Sequence, residues 1–289
     1  MISIQDRINF YLGDFQYESD EPPMSEPVRH DLPFKSSQNY SELKTTYCLD
    51  INRYVKYTDK SFWLQCGDSP YTFPYPALVK IRDTANPKSC GIIGNLNSSR
   101  HWKPCERALK NTTKWSEKKN NAIWRGSTTG INFKFKEYNR ELFVKDYCNK
   151  YDIGFSATVQ SQDHLKEYIK TPIDIDGMLK YKYLPVIDGN DKSSSLNWIL
   201  ASSSVPIMPK PRFHSWLCES YLQPNVHYVE VQNNFSDFDE KIQWCKDNDS
   251  QCKQIAENGQ TFILENFTNR GATEQIEKYI IEYLVRGTK

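Results

Sequence analysis

No stretch of 18 consecutive apolar residues occurs in the chain, and its mean hydropathy is −0.71, so a membrane-spanning helix is excluded. The longest uncharged run, Ser193 to Pro209, carries six serines and two prolines, a composition that lipid would not accept and that belongs in a protein interior or a site. An excess of charge is missing too. There are 37 Lys and Arg against 36 Asp and Glu, without a basic stripe, which removes the usual electrostatic argument for a nucleic-acid or membrane-surface partner. The opening residues, Met1 to Phe15, are interrupted by Asp6 and Arg7 and have no basic segment followed by an apolar one, so no secretory leader is visible and a cytoplasmic address is expected. The eight cysteines (48, 66, 90, 105, 148, 218, 245, 252) form no C-x-x-C, and the histidines (30, 101, 164, 214, 227) are scattered. Free thiols and no zinc site are expected. Neither a repeat nor a heptad run is present, which excludes solenoids and coiled coils.

With 289 residues, 38% of them hydrophobic, the chain is long enough for one large domain or two modest lobes. Residues 16–46 are rich in Glu, Asp, Ser and Pro and read as a loop. Leu78 to Ile81 reads as a strand whose charged tip is Arg82-Asp83. Between 106 and 121 the chain turns polar and basic, which suggests a linker, and the boundary is expected there: an N-terminal lobe over 1–118 and a C-terminal lobe over 119–272. The last helix, 273–289, is expected to pack back on the first lobe. Beyond the linker, short apolar runs (Ala122–Trp124, Ile153–Thr158, Tyr183–Ile187, Val205–Met208, His227–Val231) alternate with helix-like segments near 137–151, 194–202, 237–246, 249–267 and 273–286. Such alternation implies an α/β fold with a parallel sheet, in which ligands sit beyond the carboxyl ends of the strands.

The residues just past those strand ends are therefore the candidates. Trp124-Arg125-Gly126-Ser127-Thr128-Thr129-Gly130 joins a strand to a helix; its glycines permit close approach to an anion, its hydroxyls donate to one, and Arg125 adds charge. An ordinary strand–loop connection is the competing reading, since the segment is neither a Walker A loop nor G-x-G-x-x-G. Arg140, early on the next helix, either supplies a second positive group or lies on a solvated face. Lys180-Tyr181-Lys182-Tyr183-Leu184 leads into a strand, where alternation between core and solvent explains it equally well. Asp174-Ile175-Asp176 has the form of a metal-holding D-x-D, though acidic pairs in loops are common. Asp83 at its strand tip is either a general base or one half of a salt bridge.

Taken in order, the 124–130 segment, Asn139-Arg140-Glu141-Leu142-Phe143-Val144, Lys180 to Leu184 leading to Asp188-Gly189, Leu200 to Val205 and Leu222 to Val231 resemble glycosyltransferase family 90, the CAP10-like family that includes protein O-glucosyltransferases. The likeness covers roughly residues 78–265. It implies a GT-B architecture, two Rossmann-like lobes with a cleft between them, in which a UDP-sugar is held mainly by the C-terminal lobe. It also implies an inverting transferase that needs no metal or other cofactor. By position, Asp83 resembles the family's catalytic aspartate and Arg140 an arginine on the donor diphosphate. The resemblance places Arg125, Gly126, Ser127, Thr128, Lys182, Lys192, Ser194, Ser195 and His227 around the donor. One departure stands out: Ser195 occupies the position of a second diphosphate-binding arginine, so that Lys192 or Arg125 would have to supply the charge.

The expectation is a monomer that moves xylose or glucose from UDP to a hydroxyl of a glycan or glycoprotein. A D-x-D enzyme dependent on metal, or an inactive carbohydrate-binding protein on the same fold, are the alternatives.

Overall fold

The structure is a computed structural model that describes residues 1–13, 31–34, 48–60, 62–65, 68, 76–85, 91–131 and 138–286. The expected loop over 16–46 lies almost wholly outside the described residues. In chain order the elements begin with α1 (Ile4–Leu12), β1 (Asp31–Phe34), α2 (Cys48–Val55), β2 (Phe62–Gln65), β3 (Ala77–Val79), β4 (Ile81–Asp83) and β5 (Gly91–Ile93). They continue with α3 (Ser98–His101), α4 (Lys103–Leu109), β6 (Lys119–Ser127), α5 (Arg140–Tyr147), β7 (Asp152–Ala157), α6 (Ile175–Met178), β8 (Tyr181–Pro185) and α7 (Ser195–Leu200). The chain ends through β9 (Val205–Met208), β10 (Phe213–Ser215), β11 (Val229–Glu230), α8 (Phe238–Asp247), α9 (Asp249–Phe267) and α10 (Arg270–Leu284).

The chain divides into two compact units. The first comprises Met1–Arg100, Arg212–Ser220 and Glu265–Lys289, the second His101–Pro211 and Tyr221–Leu264. The boundary expected at 118 therefore falls inside the second unit. The stretch read as a linker contains the end of α4, which packs on α7 and buries Cys105 and Ala108, the short turn Trp115–Glu117 and the start of β6, and its Lys118 is buried with the ammonium on Leu179 O and Ser204 Oγ.

In the first unit β1 pairs antiparallel with β2, and β2, β3 and β5 run parallel. The apolar run from Leu78, which reads as one strand, is two: after Lys80 the chain leaves that sheet, and β4 pairs antiparallel with β10. Helix α1 starts at Ser3, whose hydroxyl accepts from Asp6 N, and α10 packs on α1 and α2 with Ile276, Ile280, Ile281 and Leu284 buried.

The second unit is built on a five-stranded sheet of order β11-β9-β8-β6-β7, parallel throughout. Strands β8 and β9 are buried along their whole length, which is why they read as near-continuous apolar runs. Trp124, Phe143, Phe155, Phe235 and Phe238 pack edge to face in the core. Counted by position along the chain, the strand order is second, first, third, fourth, fifth. The winding reverses between β6 and β8, and in such sheets a ligand crevice opens at the carboxyl ends of the two strands flanking the reversal.

Candidate active site

The chain leaves β6 through an irregularity between Gly126 and Ser127, where Ser156 of β7 is left without an opposite residue. Thr128, fully buried, fixes that loop to the one after β7: its hydroxyl donates to Val159 O (2.8 Å) and accepts from Val159 N (2.7 Å). Gly130 has φ +83°, and a Cβ there would lie 2.2 Å from Gly189 O, so only glycine allows the backbones after β6 and β8 to touch. Gly130 N donates to Asn190 Oδ1 (2.9 Å), which also accepts from Gln160 Nε2 (3.2 Å). Gln160 and Ser161 both hold positive φ, a costly backbone state that tends to gather at functional sites.

Arg140 opens α5, a helix capped by the Asn139 side chain, which accepts from Glu141 N and Leu142 N. From there its guanidinium reaches both the loop after β6 and the loop after β8. Nη1 donates to Ser127 O (3.0 Å) and Thr129 Oγ1 (2.7 Å), while Nε and Nη2 both donate to Ile187 O (3.2 and 3.0 Å). The same group lies 5.6 Å from the centre of the Trp124 ring. A rigid cation thus holds together the two loops that flank the reversal of winding.

The loop after β8 is ordered from within. Asp188 Oδ1 accepts from Ser193 N (2.9 Å), and the hydroxyls of Ser193 and Ser195 are 2.8 Å apart. Ser194 is the residue before α7. Lys192 is buried, and its ammonium donates to Asn197 Oδ1 (2.5 Å); the Asn197 amide in turn donates to His101 O (3.1 Å) and faces His101 Nδ1 at 3.3 Å. At one edge of the sheet, then, a guanidinium, several hydroxyls and a buried ammonium surround loops in close contact. This donor set suits phosphoryl oxygens.

Five candidate residues from the sequence have their partners away from these two loops. Arg125 points along the sheet: Nη2 donates to Asp152 Oδ1 (2.6 Å), Nη1 to the carbonyls of Trp124 and Asp152, and Nε to Thr171 O. Burial pushes the Asp152 carboxyl up, but hydrogen bonds from Arg125 and Tyr181 outweigh it and hold the group below the usual aspartate range. Lys182 lies near the start of β8, at the amino edge. Its ammonium pairs with Asp249 (2.5 Å) and stands over the Trp115 ring, whose Nε1 donates to the same carboxylate. His227 precedes β11 and is at the amino edge as well. Its Nδ1 accepts from Gln223 N, the ring meets Phe262 edge to face, and burial depresses its pKa. Asp174 and Asp176 likewise precede β8; Asp174 caps α6, and both carboxylates bind Arg107, so their charge is matched by a guanidinium. In each case partners distant in sequence engage the side chain, near the amino ends of the strands or along the strand.

Asp83 belongs to the first unit. It ends β4, is 4% exposed, and receives a two-point contact from Arg212, Nε to Oδ1 (2.9 Å) and Nη2 to Oδ2 (2.6 Å), as well as Ala85 N on Oδ1 (3.0 Å). Thr129 and Asn190 lie in the two strand-end segments, 125–130 and 188–192, that the sequence marks for inspection. Nothing local marks Gln160 or Arg212.

Three comparisons bear on this arrangement. The profile of glycosyl transferase family 90 matches residues 94–286. The O-glucosyltransferase LpsA of Dichelobacter nodosus is 25% identical over 221 residues, 76% of this chain and 66% of that protein. Protein O-glucosyltransferase 2 of Danio rerio is 26% identical over 240 residues, 75% of this chain and 45% of its own length. The chain thus spans less than two thirds of these relatives.

Proposed function

The chain belongs to glycosyl transferase family 90, and we propose that it transfers a sugar, glucose first and xylose second, from its UDP conjugate to a hydroxyl of a glycan or protein acceptor. Glucose comes first because both relatives above bear that sugar in their names. Inversion at the anomeric carbon, independence from metal and a GT-B arrangement are parts of the same proposal. In it Asp83 takes the proton of the acceptor hydroxyl, the oxygen forms its bond to the anomeric carbon, and the bond to UDP breaks with its electron pair leaving on the diphosphate. Arg140, with the Ser127 and Thr129 hydroxyls, then offsets the charge that develops there.

The observation that carries the reading is the Arg140 guanidinium joining Ser127, Thr129 and Ile187 where the winding of the sheet reverses. The direct test is release of UDP from UDP-glucose and UDP-xylose, with and without EDTA. Release from at least one donor that persists in EDTA is expected. Release from neither contradicts a transferase, and release abolished by EDTA contradicts the metal-free mechanism.

A further inference from the structure

We propose that Arg212 is the positioning residue for the Asp83 carboxylate, an inference that rests on the reading of Asp83 as the base. The contact is a fork on a carboxylate: two guanidinium nitrogens, Nε and Nη2, each address a different oxygen, at 2.9 and 2.6 Å. This geometry fixes the plane of the carboxyl group as well as its charge, which a lysine ammonium does not do. The backbone reinforces it. Phe213 stands opposite Asp83 in the β4–β10 pairing, and Thr84 N donates to Arg212 O (3.0 Å), so the arginine is carried to the aspartate by a ladder of main-chain bonds.

Counting acceptor positions shows what remains for chemistry. A carboxylate offers two lone pairs on each oxygen. Among the described residues, Oδ1 accepts from Arg212 Nε and Ala85 N, whereas Oδ2 accepts from Arg212 Nη2 alone. The remaining acceptor position is on Oδ2, and its direction is set by the fork. The Asp83 side chain is 2% exposed and that of Arg212 33% exposed, so the aspartate is held in the interior by a partly exposed partner. A carboxylate so buried needs a partner for stability alone. The positioning role goes further, because it requires the planar fork and not merely a positive charge.

The experiment uses UDP release from UDP-glucose by the full chain and by Asp83→Asn, Arg212→Lys and Arg212→Ala. Arg212→Lys keeps the charge and loses the fork. It is expected to retain Tm and the KM for UDP-glucose while kcat falls about 100-fold, the scale of loss that follows a misplaced reacting group. Guanidinium chloride at low millimolar concentration is expected to restore part of the rate to Arg212→Ala and none to Asp83→Asn. Wild-type turnover by Arg212→Lys overturns the proposal and leaves Asp83 as base untouched, provided Asp83→Asn is inactive. Absence of any guanidinium effect on a folded Arg212→Ala overturns it also. If Asp83→Asn turns over like the wild type, or the wild type releases no UDP, the reading of Asp83 as base fails and the proposal falls with it.

Discussion

Replacing Arg125 by methionine removes a guanidinium that donates to the Asp152 carboxylate and to the carbonyls of Trp124, Asp152 and Thr171. Hydrogen bonds to charged groups contribute about 1.5–3 kcal/mol. At about 2–4 °C per kcal/mol for a body of this size, Tm should fall by roughly 3–12 °C. UDP affinity should stay as it was. The sign of the pH dependence follows from Asp152, whose carboxyl lies below its ordinary value of 3.8 in the fold. Its stabilisation is fully present above that value and disappears as the folded group protonates at lower pH, so the gap in Tm between wild type and variant should narrow below about pH 4. Thermal scans from pH 3 to 7 read this directly. The arginine that the sequence marks as cationic is thus expected to matter for the sheet, and Arg140 for the crevice.

Among elements, the strands of the second unit were legible because β8 and β9 are buried throughout and leave unbroken apolar runs in the chain. Arg140 could be placed early on a helix from its spacing alone. Lys182, His227 and Arg125 could not be placed, because their partners are Asp249, Phe262 and Asp152, and no local pattern announces a contact across such separations. The β3–β4 break at Lys80 was hidden for a related reason: Lys80 is buried in a pair with Asp68, so a charged residue inside an apolar run is no interruption of burial. The contact between the loops after β6 and β8 yields its own prediction. Gly130→Ala would put a methyl group against Gly189 O at a φ of +83°, a strain of about 1–3 kcal/mol. Parting the loops should weaken UDP binding about tenfold, the equivalent of 1.4 kcal/mol, as measured by calorimetry. Unchanged affinity in Gly130→Ala would mean that the loop contact does not shape the donor crevice.

On the scale of the whole molecule, the chain does not divide at one point. Residues 212–220 and 265–289 belong to the first unit, although the second unit surrounds or precedes them in sequence. Ile280, 1% exposed on α10, lies in the segment that returns. Ile280→Ala should cost about 2–5 kcal/mol. Hydrogen exchange should then accelerate in α1 and α2, against which α10 packs, while β6, β8 and β9 keep their protection. Equal acceleration in both units would contradict the division. The proposed donor site concerns the second unit alone: the diphosphate is proposed to bind at the edge of the sheet where Arg140 joins the loops after β6 and β8. Calorimetric titration of UDP into the wild type and Arg140→Ala tests it most directly. The wild type should bind, and Arg140→Ala, with an unaltered far-UV spectrum, should bind at least tenfold more weakly, a loss of 1.4 kcal/mol or more. Equal affinity in the two proteins would contradict the account.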